Sequence, residues 1–262
     1  MKKNLLLFIF LLTAYTAHCQ VFFDDFKKLD TTIWKKMDTK WGEKEGEATQ
    51  GGVVPDNVYI KDKNILVVQA LGSQYRGNIT GHGLNTRIGG VITTVKTFAS
   101  GRYEVRAKLC PQPGALSAFW SYFYLNDDYN HEIDFEFPGH NQAPNTRDSS
   151  DLRYGLLTTW TGVHDNQYHT NDTYFGNQID GNYHTYRFDW HTGGNGEKQR
   201  IDFYYDDKLL YTAYEHIPVH AANFNIGIWF PRWIKDANFK KDYMYVDWVK
   251  ITPFNEPNDV TN

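Results

Sequence analysis

Three carboxylates stand at every second position of the segment HEIDFEFPG: Glu132, Asp134 and Glu136. In a β-strand, alternate side chains share a face, so the three acids would point one way while Ile133 and Phe135 point the other. Like charges on one face repel each other, which raises at least one carboxyl pKa. The pattern therefore suits chemistry that needs one ionised and one protonated acid.

Two other interpretations fit the same spacing. An acidic strand face can be a solvated surface, and a row of carboxylates can bind calcium, which takes several oxygen ligands. The large apolar residues between the acids favour catalysis, because they would hold the carboxylates on a rigid strand of a packed sheet.

The elements around this segment are short β-type runs separated by Gly, Asn, Asp and Pro, and no amphipathic helix of comparable length appears. This pattern predicts an all-β antiparallel sandwich. The runs are NVYI, NILVVQA, GGVITTVKTF, GRYEVRAKL, LSAFWSYFYL, HEIDFEF, YGLLTTW, YHTYRFDW, RIDFYYDD, NFNIGIWF and DYMYVDWVKI.

The connections between these runs fall into two kinds. Residues 192–199 (TGGNGEKQ) and the pair Asp206 and Asp207 predict hairpin turns. Residues 138–152 and 162–182 are too long for tight turns and are predicted to be loops. The first of these leaves directly from the acidic strand, so we expect it to form a wall of the site.

The first nineteen residues have the layout of a signal peptide. Lys2 and Lys3 precede an apolar run over residues 5–12, and small and polar residues continue to Cys19. We expect cleavage after Cys19, which leaves residues 20–262 as a single domain. A lipid-attached Cys19 is the alternative, but the bulky residue before it and the strand-like VFFDDF just after it favour export as a free protein.

Composition limits the partners. The formal net charge is −4 and no basic stripe is present, which argues against nucleic acid. Cys110 would be the only cysteine left after cleavage, so no internal disulfide is expected. Aromatic residues make up 16% of the chain; some of these rings are expected in the core, and a surplus at the surface would fit stacking against sugars.

The acidic segment and its flanking runs resemble glycoside hydrolase family 16. The resemblance rests on EIDFE together with FASGRYEVRAK, AFW, YHTYRFDW, FYYDDKLL and YVDWVKI, and on FFDDF with Trp34 as an opening strand. It implies a β-jelly-roll of two curved antiparallel sheets with the acidic strand in a concave cleft. It also implies an enzyme that cuts internal β-linkages of polysaccharides with retention of configuration.

Carried over by position, the resemblance makes Glu132 the nucleophile, Asp134 the helper and Glu136 the general acid/base. Positions i and i+4 of a straight strand lie about 13 Å apart at Cα. A retaining pair needs its carboxyls about 5 to 5.5 Å apart, so the two Glu side chains must lean together on a twisted strand.

The spacing of the acids also points to a branch of the family. Without an extra residue before Glu136, no β-bulge is expected, and the segment is similar to lichenases, xyloglucan enzymes and some endo-β-galactosidases. Lichenases have Trp two residues and Asp one residue before the nucleophile, where this chain has Asn130 and His131. We expect His131, on the opposite strand face, and His184 to be structural.

Further sugar contacts are expected from aromatic residues near the acidic strand. Trp120 and Trp229 are predicted to bind substrate. Trp160, Trp233 and Arg232 are also candidates, although the two tryptophans could instead pack under loops and the arginine could form a surface salt bridge.

The sequence thus predicts an exported, endo-acting, retaining β-glycanase, with mixed-linkage β-glucan as the expected substrate. An endo-β-galactosidase is the alternative enzyme, and an inactive carbohydrate-binding protein is the alternative from another class. We expect a polysaccharide partner, a monomer, no nucleic acid, no membrane span and no required cofactor. No His and Cys spacing suggests zinc, no metal is expected in the site, and a structural calcium ion is left open.

Overall fold

The computed structural model describes residues 21–41, 51–83, 85–138, 153–178, 180–231, 233 and 237–261. These residues form fifteen β-strands and one 3-10 turn at Pro55–Asn57. The strands are β1 (Phe22–Asp24), β2 (Trp34–Lys36), β3 (Val58–Lys61), β4 (Ile65–Leu71), β5 (Gly90–Phe98), β6 (Gly101–Lys108), β7 (Leu116–Asn126), β8 (Tyr129–Phe137), β9 (Tyr154–Trp160), β10 (Tyr168–Tyr174), β11 (His184–His191), β12 (Arg200–Tyr205), β13 (Lys208–Ala213), β14 (Ala222–Trp229) and β15 (Lys241–Pro253).

The strands form two antiparallel sheets. The first has the order β13-β12-β11-β6-β15-β4-β3, with β1 added beside β15. The second has the order β10-β9-β8-β7-β14-β5-β2. The acidic strand β8 is therefore an interior strand of the second sheet, with hydrogen-bonded neighbours on both sides.

The core lies between the two sheets and is rich in aromatic residues. Phe135 of β8 is 1% exposed and its ring meets Phe203 of the opposite sheet edge to face, with centroids 5.3 Å apart. Ile133 and Phe137 point the same way and are also buried. One face of β8 thus belongs to the core, and the other faces outward from the second sheet.

The sequence predictions of strands are confirmed for all eleven runs, and the all-β sandwich is confirmed. Residues 192–199 connect β11 to β12 in a hairpin. Asp206 and Asp207 connect β12 to β13 with positive φ angles of 46° and 62°, which is the backbone of a two-residue hairpin turn. No register shift interrupts β8 at its acids, as the spacing predicted.

The prediction of a loop over residues 162–182 is wrong in part. Residues Tyr168–Tyr174 form the edge strand β10, which pairs with β9 over its whole length. The segment YHTNDTY contains several polar residues with low strand propensity, and pairing with β9 overrides that preference. Most of the other long connection, residues 139–152, lies outside the described residues, so its role as a wall stays a prediction.

The N-terminal prediction also concerns undescribed positions: residues 1–20, including Cys19, lie outside the described residues. Within the described ranges, no helix has the length and hydropathy needed to cross a membrane. Cys110 is buried and free.

Candidate active site

The outward face of β8 carries four polar side chains in a row, at positions 130, 132, 134 and 136. Glu132 lies opposite Tyr122 of β7 and Trp160 of β9, and Glu136 lies opposite Ala118 of β7. Because both neighbours pair with β8 without a shift at the acids, the strand holds the carboxyls at regular two-residue intervals.

A cavity of about 180 Å³ lies above this row. Its walls and floor combine the three acids with aromatic rings and one small residue. The lining residues are Trp41, Ala118, Trp120, Tyr122, Glu132, Asp134, Glu136 and Trp229.

Glu132 is held by its same-face neighbours on β8. The amide nitrogen Nδ2 of Asn130 donates a hydrogen bond to its Oε2, with 3.1 Å between the two atoms. The carboxyl of Asp134 also hydrogen-bonds to Glu132. Burial raises the pKa of Glu132 to about 7, and the hydrogen bonds from Asn130 and Asp134 oppose that rise.

Asp134 is the most enclosed of the three acids, at 5% exposed. Burial and the charges of Glu132 and Glu136 raise its pKa well above the ordinary range. The indole Nε1 of Trp160 donates to its Oδ2 over 2.7 Å. These influences favour the protonated carboxyl, which donates the hydrogen bond to Glu132.

Glu136 has no stabilising hydrogen bond among the causes of its pKa shift. Burial and the negative charge of Glu132 raise its pKa to about 8. Glu132 and Glu136 both remain partly exposed to the cavity, so solvent moderates the shift of each. The hydrogen bonds from Asn130 and Asp134 favour the ionised form of Glu132, and its negative charge favours the protonated form of Glu136, so a carboxylate and a carboxylic acid can face one cavity.

Three tryptophans form one side of the cavity. The ring of Trp41 meets Trp120 edge to face at 5.7 Å and Trp229 at 6.2 Å. The sheet surface beside these rings carries small residues, because Ala118 of β7 pairs with Gly227 of β14. A Cβ at Gly227 would lie 2.4 Å from the carbonyl oxygen of Gly90, so no other residue fits there.

The predicted sugar-binding residues have different positions. Trp120 and Trp229 line the cavity. Trp160 adjoins the acids, but its N–H is bound to Asp134 and its ring stacks on Tyr168 at 4.2 Å. Trp233 packs against the apolar cluster that includes Trp120.

Arg232, the remaining predicted contact, lies outside the described residues. Sequence reasoning missed Trp41 and Tyr122 as lining residues. Tyr122 could have been found, since it is two residues from Trp120 and shares its strand face. Trp41 precedes β3 in a segment without strand periodicity, so only the aromatic surplus hinted at it.

Two histidines have framework contacts. His131 is buried on the core side of β8, and its Nδ1 accepts hydrogen bonds from the backbone N–H groups of Val219 and His220. His184 contacts Asp180 and Asp206 through its two ring nitrogens. Both residues lie away from the cavity lining.

Within the parts of the chain that the structure describes, no group of three or more His, Cys, Asp or Glu side chains is placed to hold a metal ion.

The curated relatives of this chain include bacterial enzymes of similar length. It is 28% identical over 258 residues to a beta-glucanase of Bacillus subtilis, which covers 95% of this chain and 94% of that protein. It is 26% identical over 235 residues to a beta-glucanase of Bacillus amyloliquefaciens, which covers 87% of this chain and 86% of that protein.

Solved structures share the fold. A Bacillus licheniformis beta-glucanase superposes with a TM-score of 0.69 at 24% identity and covers 88% of this chain and 97% of its own. A lichenase from a mouse hindgut metagenome superposes with a TM-score of 0.67 at 23% identity, over 89% of this chain and 99% of its own. The fold is therefore a β-jelly-roll.

A sequence profile described as Glycosyl hydrolases family 16 matches residues 34–250, which include every described residue of the cavity and the whole of β8. By this match, with the relatives and the fold in agreement, the chain belongs to glycosyl hydrolases family 16 and is a glycoside hydrolase.

Proposed function

We propose that this protein hydrolyses internal β-linkages of a β-glucan by double displacement at Glu132 and Glu136. The observation that carries the proposal is the row of acids on one face of β8, in which Glu132 has two hydrogen-bond donors and Glu136 has none among the causes of its pKa shift. This difference separates the acid that ionises from the acid that stays protonated.

In the first step, protonated Glu136 gives its proton to the glycosidic oxygen as the bond to the anomeric carbon breaks. A carboxylate oxygen of Glu132 attacks that carbon from the opposite side, which forms a glycosyl ester and releases the aglycone sugar as an alcohol. Glu132 loses its negative charge when the ester forms. The pKa of Glu136, which that charge had raised, therefore falls.

In the second step, the carboxylate of Glu136 takes a proton from water. The oxygen of that water attacks the anomeric carbon, the ester bond breaks and Glu132 leaves as a carboxylate. Two inversions give net retention, and both acids return to their starting protonation states.

Asp134 acts as the helper in this scheme. Its carboxyl donates to Glu132, which orients the nucleophile and stabilises its charge. Trp160 Nε1 donates a hydrogen bond to Oδ2 of Asp134, which leaves Oδ1 as the oxygen that carries the proton.

The substrate class follows from the aromatic lining and from the relatives. Trp41, Trp120, Trp229 and Tyr122 offer apolar ring faces for the C–H faces of sugars. The similar proteins named beta-glucanase favour β-glucan, and the lichenase structure favours the mixed-linkage type. An endo-β-galactosidase is the alternative. A screen on barley β-glucan, laminarin, xyloglucan, agarose and galactan, with products sized by chromatography, tests this choice.

Retention is tested by proton NMR of the first products. The β-anomer should appear first and mutarotate later, and an α-anomer at early times would overturn the double displacement. The E136A variant should be inactive on polysaccharide but should cleave an activated aryl glycoside when azide is added, since azide needs no general base.

An inactive carbohydrate-binding protein is the alternative from another class. It would bind oligosaccharides without turnover, and calorimetric binding with no reducing sugar released from any polysaccharide would favour it. The complete row of three acids supports the enzyme instead.

We further propose that the protein is exported as a monomer after cleavage behind Cys19. The basic and apolar pattern of residues 1–19 supports export. Mass spectrometry of the mature protein distinguishes a free N-terminus at Gln20 from a lipidated Cys19, and light scattering gives its oligomeric state.

A further inference from the structure

Asn130 is an unusual residue to find beside the acids. It lies on β8 two residues before Glu132, on the same strand face, and is 3% exposed. Its Nδ2 donates to Glu132 Oε2 at 3.1 Å. A buried amide therefore contacts the group that the proposed mechanism uses as nucleophile.

The oxygen Oδ1 at the other end of this amide is buried, and among the residues that the structure describes it has no hydrogen-bond partner. A carboxylate only accepts hydrogen bonds, so the nitrogen must face Glu132 and the oxygen must face away. Leaving a buried acceptor unpaired destabilises the fold. Within the described part of the chain, the bond to Glu132 is the only side-chain hydrogen bond of Asn130.

Asn130 and Asp134 hold Glu132 from opposite directions along the strand. One donor precedes the carboxylate by two residues and the other follows it by two. Both are carried by the same interior strand, so their distance from the carboxylate is set by rigid backbone rather than by a loop.

The groups that could change the charge of Glu132 come from three strands. β9 contributes Trp160, which does not titrate. β7 contributes tyrosines and β8 contributes the other acids of the row. The titratable side chains facing Glu132 are Tyr122, Tyr124, Asp134 and Glu136.

We propose that Asn130 is a positioning residue for the nucleophile: its amide N–H fixes the orientation of the Glu132 carboxylate and favours its ionised form. The inference rests on the proposed function and goes beyond it. It gives the Asn130 amide a role that the mechanism assigned to Asp134 alone, which is to orient Glu132 and stabilise its charge. A positioning residue of this kind should act on the ionisation of Glu132 and on the rate, with little effect on substrate binding.

The test is the pH dependence of kcat/KM, whose acid limb follows the ionisation of the nucleophile in the free enzyme. N130L has a similar volume and no donor. We expect its acid limb to move up by about one pH unit and kcat to fall about tenfold, with KM changed less than twofold. N130D places a second carboxyl beside Glu132 and should move the limb further.

Asn225 supplies a matched control. It is a buried asparagine on β14 of the same sheet, and its Nδ2 donates to the backbone carbonyl of Trp120 rather than to a carboxylate. N225L should leave the acid limb of the profile unchanged, even if it lowers the melting temperature.

An acid limb that stays in place in folded N130L would overturn the inference, as would an equal shift in N225L. If N130L fails to fold, N130A, which also removes the donor and adds no charge, takes its place. Trapping with a 2-deoxy-2-fluoro glycoside of the hydrolysed sugar separates the two proposals. Absence of label on Glu132 in the wild type overturns the proposed function, whereas labelled Glu132 with an unmoved limb overturns only the role of Asn130.

Discussion

The two faces of β8 differ in polarity: one is apolar and packs in the core, and the other is acidic and lines the cavity. The core face carries Ile133, Phe135 and Phe137, all buried against the opposite sheet. The cavity face carries acids whose pKa values are raised by burial and by each other. The core face therefore stabilises the fold, whereas the buried acids of the cavity face destabilise it and supply the groups proposed to react with substrate.

The largest effect is expected from Glu132, the proposed nucleophile. E132Q keeps the shape of the side chain and removes its charge, so kcat should fall on the order of 10⁴-fold or more. The variant should also resist denaturant at least as well as the wild type, because an amide needs no buried charge. Turnover assays and urea titrations measure the two quantities.

Glu104 provides the control for this substitution. It lies on the first sheet, where its carboxylate is 3.5 Å from Lys250 Nζ. E104Q should keep full activity, and a comparable loss in both variants would show that the effect of E132Q is not specific to the cavity face.

The next effect belongs to the core face. F135A removes a ring that packs against Phe203 and Phe188, and it should lower the free energy of unfolding by about 3 to 5 kcal/mol. At temperatures where the variant is folded, the pH dependence of kcat/KM should be unchanged. A shifted acid limb would break the separation between the faces. Y214A, at a residue 65% exposed, should change stability by less than about 0.5 kcal/mol.

A smaller effect is expected from Glu136 on stability. Its pKa is about 8 in the folded protein against an ordinary 4.5. As pH rises between these values, the unfolded chain releases the proton that the folded protein retains, so stability falls. E136Q should abolish this loss and exceed the wild type by about 1 to 2 kcal/mol at pH 9, with little difference at pH 4. Thermal unfolding across this range measures it, and parallel curves would contradict it.

The smallest effect concerns His131, the histidine on the core side of β8. Burial and the nearby His220 lower its pKa to about 4 from an ordinary 6.5. As pH falls through this interval the unfolded chain takes up a proton first, so stability decreases. H131N keeps an acceptor for the backbone N–H groups of Val219 and His220 without titrating. The loss of stability between pH 6.5 and pH 4 should shrink by about 1 kcal/mol. An unchanged slope would contradict it.

Most of the strands could be predicted because their apolar residues alternate. β10 could not, because its side chains are polar and its pairing with β9 decides its conformation. The same distinction holds in the cavity. The acids share one strand and were evident from spacing, whereas Trp41 reaches the cavity through tertiary packing, which no local pattern contains.

The local pattern also predicted where the acids lie but not what they contact. Alternation places Asn130 on the face of Glu132, yet the 3.1 Å bond and the unpaired oxygen depend on how the neighbouring strands enclose the amide. The direction of the pKa shifts was expected from like charges. The hydrogen bonds from Asn130 to Glu132 and from Trp160 to Asp134, which oppose those shifts, could not be predicted from spacing.

The spacing of the catalytic row has an evolutionary consequence. The proposed catalytic side chains lie within seven consecutive residues, 130–136, while the aromatic rings of the cavity come from separate segments around Trp41, Trp120 and Trp229. Substitutions that change the ring set can alter which glycan is accepted without disturbing the chemical machinery. Enzymes that diverge from a common ancestor in this way can therefore change their glycan substrate while they keep the same hydrolytic reaction.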